Sequence, residues 1–185
     1  MTPRVIAGSA KGRKLKVAES GTRPLTDRIK TSIFDLIAEF LPEAKVLDLF
    51  AGSGAFGIEA LSRGAASCLF IDNGDEQVTL LKANLEQTRL THRAEIRQQS
   101  VSKELLTNLN AKFTLVFLDP PFPMEQSDKQ DILSVLDQIM AKDALAIFRY
   151  ENDETYPTQI AGLTDVYQKQ YGQSIVSFYK RENEL

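Results

Sequence analysis

The sequence predicts an α/β doubly wound domain with a mostly parallel sheet, and three observations carry that expectation. From Val46 onward, short apolar runs rich in Val, Ile, Leu and Phe alternate with stretches of helical periodicity. Several of those runs are apolar almost throughout, as strands covered on both faces must be. The chain has 185 residues, 43% hydrophobic and 25% charged, a composition that suits one folded unit and argues against a coiled coil or a disordered chain.

Taken in order, Thr26 or Asp27 can cap a helix whose Ile29, Ile33, Ile37 and Phe40 recur at three- and four-residue intervals and which ends before Pro42. Strands are expected at Val46 to Phe50, Cys68 to Asp72, Glu95 to Gln98, Phe113 to Leu118 and Ala144 to Tyr150. Val166 to Tyr171 and Ile175 to Tyr179, separated by a turn containing Gly172, read as a closing antiparallel hairpin. Val78, Leu81 and Leu85 make one apolar helix face, and Ile132, Leu133, Leu136, Ile139 and Met140 make another. Pro123 to Ser127 has turn composition and is expected to be disordered. No internal repeat or low-complexity tract interrupts the pattern.

Composition also narrows the chemistry. No run approaches the roughly 18 to 20 apolar residues that span a bilayer, and no apolar segment follows the basic N-terminus, so a cytoplasmic protein without a membrane partner is expected. Cys68 is the only cysteine and His92 the only histidine, which leaves no intramolecular disulfide and no His/Cys cluster for zinc. Metal-assisted chemistry is not expected. The net charge of −3 hides an asymmetry: residues 1 to 30 hold eight basic residues against Glu19 and Asp27, a net of +6, so the remainder carries −9. Residues 4 to 17 contain Gly8 and Gly12 and read as a small basic hairpin, and residues 1 to 25 are expected to form an arm ahead of a body at 26 to 185. A basic arm on an acidic body is suited to gripping a polyanion, since neutralising phosphates releases condensed counterions.

Two motifs carry chemistry. In the first, VLDLFAGSGAFG, a strand runs through Gly52-Ser53-Gly54 into a helix, where glycines permit a tight turn and let a ligand approach backbone amides at the helix N-terminus. Asp72 ends the next strand, twenty residues beyond Gly52, placed for a carboxylate to bind a ribose diol. Together they point to an adenosine-containing cofactor. Asp48 lies inside the strand, where a carboxylate would repel a pyrophosphate but attract a cationic methionine moiety, which favours S-adenosylmethionine over a dinucleotide.

The second motif, Asp119-Pro120-Pro121-Phe122, follows the apolar run Phe113 to Leu118 and so sits at the C-terminal end of a central strand, where such sheets bind ligands. The nitrogen of a base's exocyclic amino group is a poor nucleophile because its lone pair is delocalised into the ring. Acceptors at the Asp119 carboxylate and the Pro120 carbonyl can bind its hydrogens and aim the lone pair at a methyl donor. Two prolines stiffen the turn and remove two donors, leaving an acceptor-only rim, and Phe122 offers a face on which an extruded base can stack.

With both motifs placed, the chain resembles the RsmD type of class I methyltransferase, the bacterial 16S ribosomal RNA guanine-N2 methyltransferases. The resemblance runs from RVIAGSAKGRKLKV through TRPLTDRIKTSIFDLI, VLDLFAGSGAFGIEALSRGA and FLDPPF to YGQSIVSFYKR. Arg4, Gly8, Gly12, Arg13 and the Arg23-Pro24 pair are the discriminating part, because many amino methyltransferases share the other motifs. The resemblance implies a Rossmann-like, seven-stranded sheet with its last strand antiparallel. It implies cofactor contacts at Asp48, Phe50, Gly52, Ser53, Gly54, Asp72, Asn73, Ser100, Val101 and Asp119, and catalysis at Asp119, Pro120, Pro121 and Phe122. RNA contacts fall to Arg4, Lys11, Arg13, Lys14, Arg23 and Arg28, and the implied partner is 16S rRNA or an assembling small ribosomal subunit, met by a monomer. The chain departs from the family in having Asp72 where relatives often have Glu, Ser100 where many class I enzymes place an Asp beside the adenine, and Leu25 for a Thr. Rival readings are an adenine-N6 DNA methyltransferase, a nicotinamide oxidoreductase and a non-catalytic RNA-binding protein. Too few residues remain for a DNA-reading domain, and the last two leave Asp119 to Phe122 unexplained.

Overall fold

The computed structural model describes residues 3–18 and 26–181. The elements run α1 (Asp27–Leu36), β1 (Lys45–Leu49), α2 (Ala55–Ser62), β2 (Ser67–Asp72), α3 (Asp75–Thr88), β3 (Ala94–Gln98), α4 (Lys103–Thr107) and β4 (Phe113–Leu118). They continue with α5 (Gln126–Leu133), α6 (Leu136–Ile139), β5 (Met140–Glu151), β6 (Gln159–Ile160), β7 (Leu163–Tyr171) and β8 (Ser174–Arg181). One sheet holds the eight strands of the described residues in the order β3-β2-β1-β4-β5-β8-β7-β6. Strands β1 to β5 are parallel to one another, and β8 enters antiparallel between β5 and β7. The sheet therefore has eight strands where seven were expected, the addition being the two-residue β6 at the edge.

Period-two alternation explains why the central strands are apolar throughout. Val46, Phe70, Leu115, Phe117 and Ile147 face one layer, against Ile33 and Phe34 of α1, Phe56 and Ile58 of α2, and Leu81 and Leu85 of α3. Leu47, Leu49, Ile71, Val116, Leu118 and Phe148 face the other, against Leu106, Ile132, Leu133, Leu136 and Ile139. Helix α1 starts where the capping residue sits: the Thr26 side chain accepts from the Ile29 N–H at 3.3 Å. It stops at Leu36, and Phe40 lies in a separate 3-10 turn, Ala38–Phe40. The stripe from Ile132 to Met140, expected on one helix, is divided between α5, α6 and the first residue of β5. Pro123 to Ser127, expected to be disordered, is ordered: Met124 N–H donates to the Pro121 carbonyl at 3.0 Å in a turn, and Gln126 and Ser127 open α5.

The first residues pack on α2 and α3. Arg4 and Lys14 form a single antiparallel bridge, with Val5 N–H donating to Arg13 O at 2.9 Å and Gly12 N–H to Val5 O at 2.8 Å. Val5, Ala10 and Leu15 are buried in the same apolar layer as α1 and α2. Polar contacts fix the approach. Glu59 on α2, fully buried, accepts from Ile6 N–H at 2.8 Å and Ala7 N–H at 3.0 Å, from Arg63 Nε at 2.7 Å, and pairs with Lys30 Nζ at 3.1 Å. Gly8 takes φ +83°, and a Cβ there would lie 1.8 Å from the Ser62 carbonyl oxygen, so only glycine fits. Covered by the sheet on one side and this segment on the other, α2 is buried from Phe56 to Ser62.

Candidate active site

The site lies at the carboxyl ends of β1, β2 and β4. Leu49 of β1 pairs with Leu118 of β4, so the glycine turn and the Asp119–Phe122 turn leave neighbouring strands at one level. The Asp119 N–H donates to Leu49 O at 3.5 Å. The glycine turn is built from left-handed backbone: Phe50 at φ +58°, Gly52 at +52° and Gly54 at +80°, the last at the start of α2. A Cβ placed on Gly52 would meet nothing closer than Phe50 O at 4.0 Å, so the chain leaves open space above the turn. Gly54 has no such room, since a Cβ would lie 2.4 Å from a Leu81 methyl.

The acidic residues shape the turn. Asp48 is 2% exposed and its Oδ2 accepts from the Gly57 N–H at 2.9 Å, tying α2 to β1. Burial pushes its carboxyl well above the usual range, the Gly57 hydrogen bond opposes this, and Asp119 and Asp72 add repulsion. Asp72 accepts from Gly52 N–H at 2.8 Å and from Gly74 N–H at 2.9 Å, one on each oxygen. The first glycine amide, expected to face a ligand, is thus spent on shaping the turn. Each carboxylate oxygen keeps a second lone pair for a hydroxyl donor.

Other expected contacts surround the turn. Exposed Asn73 donates from Nδ2 to Ser100 Oγ at 3.2 Å, joining the loops after β2 and β3. Val101 belongs to the buried layer with Leu49 and Ile71, and Phe50 packs against its edge. The Ser53 carbonyl accepts from Asn84 Nδ2 at 2.9 Å. In the second motif Pro120 is buried, Pro121 exposed and Phe122 half-buried. Among the described residues no group of three or more His, Cys, Asp or Glu could hold a metal, and no helix is long and apolar enough to cross a membrane.

Sequence reasoning missed the groups that hold this arrangement. Arg149 on β5 meets Asp119 through Nε–Oδ1 at 2.7 Å and Nη2–Oδ2 at 3.1 Å. A lone cation within an apolar strand run was the available signal. Asn84, fully buried, accepts from Lys16 N–H at 2.8 Å and donates to Lys16 O at 2.8 Å, so it links the N-terminal segment to the glycine turn. Of the expected RNA contacts, Lys11, Arg13, Lys14 and Arg28 are exposed. Arg4 is paired with Asp27 at 2.8 Å, and Arg23 lies outside the described residues.

A glycine turn under acidic strand ends, beside an Asp-Pro-Pro-Phe turn on a sheet of this order, defines a Rossmann-like methyltransferase. Residues 3–180 match the family model described as "Conserved hypothetical protein 95". A Bacillus subtilis (strain 168) protein named "Putative rRNA methyltransferase YlbH" is 36% identical over 183 residues, covering 96% of this chain and 98% of that one. "Ribosomal RNA small subunit methyltransferase D" of Escherichia coli (strain K12) is 33% identical over 182 residues, covering 97% and 90%. The solved structure "Putative methyltransferase yhhF from Escherichia coli" superposes with a TM-score of 0.88 at 32% identity, covering 100% of each chain. The chain belongs to this RsmD family of methyltransferases.

Proposed function

We propose that this protein transfers a methyl group from S-adenosylmethionine to the exocyclic N2 amino group of a guanine in small-subunit ribosomal RNA. The observation that carries the reading is the adjacency of the two turns, held in register by Leu49 and Leu118. The names of the relatives, which specify ribosomal RNA, supply the substrate class.

S-adenosylmethionine, when bound, supplies a methyl group activated by a positive sulfonium. Gly52, Ser53, Gly54, Phe50, Asp72, Asn73, Ser100 and Val101 would hold it, with Asp48 bracing the glycine turn from beneath through the Gly57 N–H and Asp119 standing at the edge of the site. The room above Gly52 and the remaining acceptor lone pairs on the two Asp72 oxygens fit such a ligand. Asp119 and the Pro120 carbonyl accept hydrogen bonds from the target amino group, which localises its lone pair. Proline lacks an N–H, so Pro120 and Pro121 add no backbone donor to this rim. Phe122 stacks on the extruded base, a contact worth about 1–3 kcal/mol by analogy with other base–aromatic pairs. Exposed Lys11, Arg13, Lys14 and Arg28 supply phosphate contacts, with residues 1–25 acting as the arm and 26–185 as the transferring body.

The test is transfer of tritiated methyl groups to small subunits from cells lacking this protein, followed by mapping of the label. Label on a guanine N2 is expected. Asp119→Ala should slow transfer roughly 10²- to 10⁴-fold while cofactor affinity stays nearly constant. Label on a different atom, or a fully active variant, refutes the reading.

A further inference from the structure

Arg149 takes no part in the contacts described above except with Asp119, yet it is placed at considerable cost. It is 8% exposed on a strand whose neighbours from Ala144 to Tyr150 are all buried. A cation at such a position must be paired to be tolerated. The register of β4 with β5 joins Leu118 to Phe148, so the next residue on each strand, Asp119 and Arg149, stand side by side. The resulting pair is two-pronged, at 2.7 and 3.1 Å. The guanidinium carbon also lies 6.0 Å from the centroid of the Phe122 ring. One side chain thus reaches both ends of the Asp119–Phe122 turn.

We infer that Arg149 is a positioning residue for methyl transfer: its planar guanidinium fixes the plane of the Asp119 carboxylate and braces the Phe122 ring before the base arrives. The inference rests on Asp119 being the acceptor for the target amino group. Two parallel N–H···O bonds set both the direction and the rotation of a carboxylate, which a single bond cannot do. The lone pairs that Arg149 leaves on each oxygen then point in a fixed direction, so the acceptor geometry exists in advance. A lysine keeps the charge but offers no fork, so it cannot reproduce that orientation.

A double-mutant cycle on the single-turnover rate tests this, using small subunits from cells lacking the protein and tritiated S-adenosylmethionine. R149M should slow transfer about 10- to 100-fold, as loss of orientation does, while S-adenosylmethionine affinity changes by less than about 3-fold. R149K should recover only part of the rate. In a D119N background, R149M should add less than about 3-fold, because the two residues act as one unit. If R149M does not fold, as its melting curve will report, the same cycle run with R149K decides. Independent losses that multiply, or an R149M enzyme at the wild-type rate, overturn the assignment of Arg149. A D119N enzyme at full rate overturns the role of Asp119 as well, and so separates the failure of that reading from the failure of this one.

Discussion

Replacing Glu59 by alanine removes the acceptor on which the N-terminal segment converges. The side chain is fully buried, and its loss strands the Ile6 and Ala7 amides together with a Lys30 ammonium that is 1% exposed. Removing one partner of a buried ion pair costs about 3–5 kcal/mol, most of it from the charge left behind. Lys30 limits the damage in two ways: its Nζ also donates to the Arg4 carbonyl, and burial already lowers its pKa against the opposing pull of Glu59. A total near the lower end, about 3 kcal/mol, is therefore expected, or roughly 6–12 °C in melting temperature for a chain of this size. Circular dichroism gives the melting shift, and hydrogen exchange at Ile6 and Ala7 reports whether the segment has lifted off α2. Glu59→Gln, which keeps one acceptor oxygen but no charge, should fall between wild type and alanine. A Glu59→Ala protein that melts within about 2 °C of wild type, with both amides still protected, would refute the reasoning.

The remaining predictions concern charge, space and the arm. Burial raises the Asp48 carboxyl well above its ordinary range, so the folded state favours its protonated form, and the stability it contributes is full at low pH and lost as pH rises from about 4. Asp48→Asn should therefore raise the melting temperature of the cofactor-free protein at pH 7–8, by a margin that shrinks toward pH 4; a margin that grows on acidification would contradict this. Gly8→Ala forces a Cβ into the Ser62 carbonyl at φ +83°, whereas Gly12→Ala has the same φ and open space. Calorimetric melting should show the first losing at least about 1–3 kcal/mol more than the second, and equal losses would mean the segment shifts freely. Charge reversal at Arg13 and Lys14 should weaken RNA binding and flatten the slope of log affinity against log salt by about 1.5 for two lost phosphate contacts. An unchanged slope in filter-binding titrations would detach the arm from phosphate.

What could be read from the sequence was whatever depends on near neighbours. Strands β1, β2 and β4 were legible because Val46–Leu49, Cys68–Ile71 and Leu115–Leu118 are short, largely apolar runs buried on both faces. The start of β5 was not, since Lys142 and Asp143 interrupt the apolar run. The strand accommodates them with Asp143 at φ +58° and a register shift opposite Phe113 and Leu115. The stripe Ile132 to Met140 was correctly read as buried but wrongly as one helix, because periodicity reports which side is covered and not whether the backbone is continuous. Both motifs sit on adjacent strand ends. Their bracing was hidden, because Arg149 is 30 residues from Asp119, Ile6 is 53 from Glu59 and Lys16 is 68 from Asn84. Nothing local to a buried charge says which distant group will neutralise it.

The place of β8 in the sheet has a consequence for how the protein is made. Among the described strands, β8 comes latest in the sequence, yet it is not at an edge but fills the gap between β5 and β7, pairing with both. Until Ser174–Arg181 is available, β5 keeps one row of unpaired backbone groups, beside Ala146, Ile147 and Phe148, which are buried in the finished fold. Such an open, apolar edge is a template for pairing with another chain. Synthesis that halts before residue 174 is therefore expected to yield an aggregation-prone species, and closure of the sheet between β5 and β7 waits on Ser174–Arg181.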